Sequence, residues 1–170
     1  MKSFVVLGMH RSATSLVARS LHHEMPMGDD LLGESPSNPH GHFEDRNFYR
    51  LNEDILHAAG GTWYDLPTEA SILAVKPDFA QRVKETVKHA ERDPLWGFKC
   101  PRTILTIEHY LPYLENPHFI ACFRDADEVA KSLQLRNKMP LSEGIRLADE
   151  YNRRLIKFLS WWTNKESKHR

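Results

Sequence analysis

The stretch Phe4-Val-Val-Leu-Gly-Met-His-Arg-Ser-Ala-Thr-Ser15 decides the fold. Its first four residues form a continuous apolar run, which is typical of a strand buried on both faces of a sheet. Gly8 ends that run at the point where the backbone must turn. Apolar residues spaced from Leu16 to Leu21 predict a helix directly afterwards. The segment from Gly8 to Ser15 is therefore predicted to be a loop between a buried strand and a helix.

The composition of this loop suits an anionic ligand. The start of a helix offers unpaired amide N–H groups and the positive end of a dipole. Arg11 adds a planar fork of donors, and Ser12, Thr14 and Ser15 add hydroxyl donors. The alternative is a plain strand–turn–helix connection with a capping serine. The Gly-Lys-Ser/Thr ending of ATP- and GTP-binding loops is absent, which disfavours a kinase or an ATPase.

The whole chain limits the possible classes of protein. A length of 170 residues predicts one domain, residues 1–170. The 23 basic and 23 acidic residues balance, which disfavours nucleic-acid binding by broad phosphate neutralisation. The apolar run at the start is too short for a signal peptide or a membrane span, so we expect no membrane contact and a cytoplasmic location. Cys100 and Cys122 lie in apolar runs and are expected to be buried, reduced thiols.

The remaining pattern alternates strands and helices. Further strands are predicted at Trp96–Cys100 and His118–Phe123, and a weak one at Met25–Met27. Helices are predicted at about 16–21, 45–59, 79–92, 104–111, 127–136 and 141–162, with 24–42 and 62–77 irregular. This alternation predicts a three-layer α/β/α fold with a mainly parallel sheet. Ligands bind such sheets beyond the carboxyl ends of the strands, where Gly8, Lys99 and Arg124 fall.

Four segments together resemble the sulfotransferase family. Arg11-Ser-Ala-Thr-Ser15 resembles the Lys/Arg-Ser-Gly-Thr-Thr/Ser loop that binds the donor's 5′-phosphosulfate in that family. Arg124, with Ser132 eight positions later, resembles the family's second signature, which binds the donor's 3′-phosphate. The segments Gly41-His-Phe-Glu-Asp-Arg46 and Trp96-Gly-Phe-Lys-Cys-Pro-Arg102 resemble parts of bacterial-type members. The resemblance covers about residues 3 to 160 and implies a P-loop-like nucleotide-binding fold.

This resemblance implies a reaction and a set of donor-binding residues. The donor would be 3′-phosphoadenosine 5′-phosphosulfate, and the acceptor a hydroxyl or amine of a small molecule or glycan. Nucleic acid is not expected, because the charges of the chain balance. No metal ion is expected either, because the implied chemistry requires none and His22-His23 and His40 with His42 are typical of solvent-facing histidines. The donor-binding positions implied by the family are Gly8, Arg11, Ser12, Ala13, Thr14, Ser15, Arg124 and Ser132.

The resemblance also implies three catalytic residues. Arg11 would contact the oxygen that bridges to the leaving phosphate, and Lys99 would lie near the transferred group. Glu44 is the leading candidate for the general base, with Glu34 and His42 as alternatives. A carboxylate in the first turn of the 45–59 helix is the other interpretation of Glu44. Oligomeric state is left open by the sequence.

The sequence departs from the family pattern at several positions. Pro101 stands where the cytosolic animal enzymes carry a catalytic histidine, and Cys100 stands where bacterial-type members often carry aspartate. Ala13 replaces the loop glycine, which is tolerable if that residue is already helical. The chain also stops at Arg170, earlier than is usual in the family. An inactive nucleotide- or anion-binding relative and a P-loop small-molecule kinase therefore remain as alternatives.

Overall fold

The computed structural model describes residues 1–35, 38 and 41–167, and within them three strands and seven helices. The strands are β1 (Lys2–Gly8), β2 (Leu95–Lys99) and β3 (Pro117–Cys122). The helices are α1 (Thr14–His22), α2 (Arg46–Ala58), α3 (Glu69–Ala74), α4 (Lys76–Ala90), α5 (Thr103–Tyr110), α6 (Ala126–Asn137) and α7 (Leu141–Ser167).

The three strands form a parallel sheet in the order β2-β1-β3. In this register Val6 pairs with Lys99 of β2, and Gly8 pairs with Cys122 of β3. The carboxyl ends of all three strands therefore meet at one edge of the sheet. Arg124 follows two residues after Cys122, so it starts from the same edge. The predicted α/β fold with a parallel sheet is confirmed.

The two faces of the sheet are covered by different helices. Successive residues of a strand point to opposite faces. Val5 packs into the larger core with residues of α2, α4, α5, α6 and α7. Val6 packs into a smaller cluster with Ala18 of α1, Met27 and Cys122. Helices thus lie on both sides of the sheet, which makes the three layers that the alternating pattern predicts.

Two local predictions from the sequence are wrong. Residues 62–77 contain the short helix α3, whose start Thr68 caps by accepting a bond from the amide of Ser71 at 3.0 Å. Burial of Ile72 holds this single turn, which is too short to produce a visible apolar period. Met25–Met27 forms no strand: its methionines are buried, and the Pro26 carbonyl accepts one hydrogen bond from the Gly97 amide at 2.9 Å.

Among the residues that the structure describes, no helix is both long enough and apolar enough to span a membrane.

Candidate active site

The loop between β1 and α1 has a tightly constrained backbone. A Cβ atom on Gly8 would lie 2.6 Å from the carbonyl oxygen of Cys122, so only glycine fits where β1 packs against the end of β3. Arg11 and Ala13 both adopt left-handed conformations, with φ of 68° and 62°. Ala13 therefore precedes α1 and is not helical. The replacement of the loop glycine by alanine is expected to be tolerable only for a helical residue, so it is strained here. A left-handed alanine costs about 1–2 kcal/mol.

The start of α1 is open to a ligand. Ala13 occupies the position before the helix, and in the described part of the chain no side chain caps the first amides of α1. Ser12 is buried, and its hydroxyl has no hydrogen-bond partner among the described residues. Buried polar groups are normally paired. The loop therefore keeps amide and hydroxyl donors available at the positive end of a helix, as an anion site requires.

The two sequence signatures meet in space. The Arg11 side chain donates from Nε to the Ser132 hydroxyl at 2.7 Å, across 121 residues of sequence. Arg124 donates from Nη1 to the carbonyl of Arg11 at 2.9 Å, and its Nη2 lies 3.5 Å from Glu128. The arginine after β3 and the serine of α6 are thus both joined to the loop after β1.

A buried ion cluster lies at the end of β2. The Lys99 ammonium donates to Glu44 Oε1 at 3.0 Å and to the Ser15 hydroxyl at 3.2 Å. Lys99 is 1% exposed and Glu44 is 4% exposed. Arg102 Nη1 lies 3.8 Å from Glu44 Oε2, and Arg102 also pairs with Glu53. Glu44 Oε2 has no hydrogen-bond partner among the described residues, so one carboxylate oxygen keeps an open acceptor position.

The surroundings of Glu44 distinguish it from the other candidate bases. It is not in the first turn of a helix, because α2 begins at Arg46 and Asp45 caps it by accepting from the amide of Asn47 at 2.8 Å. Glu34 is exposed and does not line the cavity described below. His42 does line it, and burial lowers the pKa of its ring. Only Glu44 joins the buried cluster of Lys99.

These groups surround a cavity of about 260 Å³ at the carboxyl edge of the sheet. Its charged side chains are five cations and one carboxylate. The cations are Arg11, Arg19, Lys99, Arg124 and Arg136, and the carboxylate is Glu44. A protein with no net charge therefore concentrates positive charge at one place, which favours an anionic ligand.

Sequence reasoning missed several residues that line this cavity, among them Arg19, His10 and Arg136. His10 is 7% exposed and its ring centre lies 4.4 Å from that of Trp63. Burial, and then the charges of Arg102 and Arg136, hold the pKa of His10 well below its usual value, so its ring is neutral. Its position directly before Arg11 is the signal that could have identified it. For Arg136 the signal is its place one helical turn after Ser132.

The described residues contain no arrangement typical of a metal site. Among residues 1–35, 38 and 41–167, no group of three or more histidine, cysteine or acidic side chains is placed to hold a metal ion. His22 and His23 are exposed, and His40 lies outside the described residues. The two cysteines are free and buried, as predicted. Burial raises the pKa of Cys100 to about 12, so its thiol is protonated and unreactive at neutral pH.

The sulfotransferase family model matches residues 3–169, nearly the entire chain. The chain belongs to the sulfotransferase family. A search of curated proteins found no match. Membership of this family supports sulfuryl transfer as the general activity, in preference to the kinase that the missing Gly-Lys-Ser/Thr ending had already disfavoured.

Proposed function

We propose that this sulfotransferase moves a sulfuryl group from 3′-phosphoadenosine 5′-phosphosulfate to a hydroxyl or amine of a small-molecule or glycan acceptor. The observation that carries the proposal is the junction of Arg11, Ser132 and Arg124 at the open start of α1. A donor with two separate phosphates needs two anion sites that are linked but distinct. The loop supplies one, and the arginine–serine pair supplies the other.

The donor's 5′-phosphosulfate is assigned to the loop after β1. The amides at the start of α1 and the hydroxyls of Ser12, Thr14 and Ser15 are the donors, with Gly8 and Ala13 shaping the turn. The unpartnered Ser12 hydroxyl supports this assignment, because a buried hydroxyl without a partner costs free energy that a bound anion removes. The 3′-phosphate is assigned to Arg124 and Ser132, which supply charge-assisted and neutral hydrogen bonds.

The chemical step requires positive charge where negative charge develops. The bond between sulfur and the oxygen bridging to the 5′-phosphate breaks, and its electron pair remains on that oxygen. A new bond joins sulfur to the acceptor's oxygen or nitrogen, whose proton passes to a base. Arg11 and Lys99 are assigned to the developing charge, because fixed cations in a water-poor site lower such barriers most.

Glu44 is assigned as the base that takes the acceptor's proton. Its Oε1 is occupied by Lys99, and its Oε2 has the open acceptor position. A well-placed base contributes about 10²–10⁴-fold in rate. The same carboxylate orients Lys99, so Glu44→Gln is expected to lower kcat by about 10²-fold or more. The affinity for the donor should stay within about threefold of the wild-type value.

Calorimetry tests the assignment of the donor. The protein is expected to bind adenosine 3′,5′-bisphosphate and not ATP with magnesium. Arg124→Gln should weaken the bisphosphate about 10–100-fold, because it removes charged hydrogen bonds worth about 1.5–3 kcal/mol. Its effect on adenosine 5′-phosphosulfate, which lacks the 3′-phosphate, should be less than about twofold.

The matched control is Arg82→Gln, which removes an arginine from the surface of α4, where it pairs with Asp54 at 2.7 Å. It should change neither affinity. Equal losses of both nucleotides in Arg124→Gln would remove its 3′-phosphate role. Tight binding of ATP with magnesium, and none of the bisphosphate, would overturn the proposed function. Bisphosphate binding without any sulfuryl transfer would instead favour an inactive nucleotide-binding relative.

A further inference from the structure

Arg136 is a cation of the active-site cavity that the proposed donor does not use. It lies on α6 four residues after Ser132, so both side chains point to the same side of the helix. Its guanidinium is half-buried and lines the same cavity as Arg11 and Lys99. The guanidinium packs over the ring of Trp63, with 5.8 Å between its central carbon and the centre of the ring.

The surroundings of Arg136 are unfavourable for a positive charge. No carboxylate of the described residues lies within 4.0 Å of it, and its hydrogen bond is to the neutral side-chain amide of Asn137 at 2.6 Å. Burial, and then the charges of Arg11 and Arg102, lower the pKa of Arg136, and the charge of Glu44 acts in the opposite direction without reversing the shift. A desolvated cation beside other cations costs free energy, and a bound anion would offset that cost.

The donor does not supply this anion. Its sulfuryl group and 5′-phosphate are assigned to the loop, Arg11 and Lys99, and its 3′-phosphate to Arg124. Glu44 is held by Lys99 at 3.0 Å, so the cavity's carboxylate is already paired. Two cations that line the cavity, Arg19 and Arg136, are therefore left without a counter-charge among the described residues after the donor is placed, and Arg136 is the partly buried one.

A second unsatisfied group lies beside the same aromatic ring. His10 is 93% buried, because only 7% of its surface is exposed, and its Nε2 has no hydrogen-bond partner among the described residues. Its ring centre lies 4.4 Å from that of Trp63, the same side chain that the Arg136 guanidinium approaches. Since His10 also lines the cavity, a neutral hydrogen-bonding atom and a cation are presented together there. Such a combination fits an oxyanion attached to a larger molecule.

We infer that Arg136 forms an anion subsite for the acceptor, with His10 beside it, and that the acceptor therefore carries a carboxylate or a phosphate in addition to the group that is sulfated. This inference rests on the proposed function, because it takes Arg11, Lys99 and Arg124 to be occupied by the donor. The inference predicts that anionic acceptors bind more tightly than uncharged ones, so neutral phenols and neutral sugars are expected to be poor ligands.

The experiment uses two pairs of probes that differ in one oxyanion. 4-Nitrophenyl β-D-glucuronide is compared with 4-nitrophenyl β-D-glucoside, and phenyl phosphate with phenol. Each is titrated by calorimetry into the full chain saturated with adenosine 3′,5′-bisphosphate, and again without nucleotide. In at least one pair the anionic probe should bind tenfold or more tightly, and the pair that shows this preference identifies the oxyanion as carboxylate or phosphate.

Arg136→Gln should reduce that preference to less than about twofold and leave the affinity for the bisphosphate unchanged. Arg19→Gln removes the same charge from the exposed side of the cavity and should keep the preference. This control distinguishes a specific contact with Arg136 from attraction by the overall positive charge of the cavity. No preference in either pair, a preference that survives Arg136→Gln, or one that Arg19→Gln removes equally would overturn the inference. So would a loss of bisphosphate affinity in Arg136→Gln as large as in Arg124→Gln.

Failure of the proposed function gives a different result. In that case the bisphosphate does not bind to the wild-type chain, whereas the titrations without nucleotide still measure the dependence of each anionic probe on Arg136. The two hypotheses are therefore tested by separate titrations of the same protein.

Discussion

The active-site cavity and a groove between α3, α5 and α7 differ in how their charges are compensated. The groove is the larger of the two, at about 450 Å³ against about 260 Å³. Apolar side chains such as Ile72, Ile107 and Phe158 line it, and four cations and two carboxylates surround them. By size and apolar lining alone, the groove would be the first choice for a binding site.

Half of the six charged side chains that line the groove form ion pairs. Glu69 pairs with Lys157 and lies 2.7 Å from Arg153. Arg154 lies 2.8 Å from Glu150, and Lys165 lies 5.3 Å above the ring of Trp161. In the active-site cavity, by contrast, five cations face one carboxylate. The larger excess of cations at the strand ends, and not cavity volume, therefore distinguishes the candidate site from the groove.

Removing one lysine from each cavity should give the largest of the expected effects, a difference in the free energy of unfolding and in activity. Lys99→Met leaves the buried Glu44 without its closest partner, which costs about 3–5 kcal/mol. Lys157→Met breaks a solvent-exposed pair with Glu69, which is worth less than about 1 kcal/mol. Urea unfolding of both variants and the wild type measures these costs. Sulfuryl transfer should be lost in Lys99→Met and retained in Lys157→Met.

The double variant Lys99→Met with Glu44→Gln provides the control for this comparison. It removes both charges of the buried pair, so it should recover a large part of the stability lost in Lys99→Met. Equal destabilisation by the two lysine substitutions would show that the pair between Lys99 and Glu44 contributes no more to the free energy of unfolding than a surface pair does. The contrast between the two cavities would then fail.

Acidification should distinguish His10, which lines the active-site cavity, from His109 of α5, whose ring bonds to the backbone of Ile72 beside the groove. Burial and nearby cations hold the pKa of His10 well below its usual value, and burial lowers the pKa of His109, whose bond to the Ile72 carbonyl acts in the opposite direction. From about pH 6.5 downward the unfolded chain binds protons that the folded chain excludes, so the unfolding free energy falls by at most about 1.4 kcal/mol per pH unit for each histidine. Above that pH their contribution is fully present.

Urea unfolding at pH 7.5 and 5.5 measures this loss in the wild type, His10→Gln and His109→Gln. Each substitution should reduce the loss, and His10→Gln should reduce it more. The residual loss includes His42, whose pKa burial also lowers. An unchanged pH dependence in His10→Gln would mean that its ring is protonated in the folded protein, and the description of the cavity as lined by a neutral histidine would be wrong.

Much of the fold and part of the candidate site could be predicted from the sequence. The apolar runs ending at Gly8, Lys99 and Cys122 locate the strands, and parallel strands necessarily bring their carboxyl ends together. For that reason the sequence could indicate that Arg11, Arg124 and the lysine after the second strand share one edge. The hydrogen bond between Arg11 and Ser132 follows from that geometry.

The contacts that depend on three-dimensional packing could not be predicted. Glu44 comes from an irregular segment, and nothing in its local pattern indicates that it pairs with Lys99 across 55 residues. The burial of His10 and the position of Arg136 above Trp63 depend on how 60–67 folds over the loop, and a segment without a period gives no signal for this. Backbone conformation at Ala13 is likewise set by the turn that the whole loop must make.

Ala13→Gly should change the free energy of unfolding least, and it tests whether the backbone of the active-site loop is strained. Glycine removes the cost of the left-handed conformation, about 1–2 kcal/mol, but gives the unfolded chain about 0.4–1 kcal/mol more conformational entropy. A net stabilisation of about 0.5 kcal/mol is expected by urea unfolding. Ala70→Gly, in helix α3 beside the groove, should instead destabilise by about 0.5–1 kcal/mol, because its backbone is helical. Destabilisation by both changes would show that the strain at Ala13 is absent in solution.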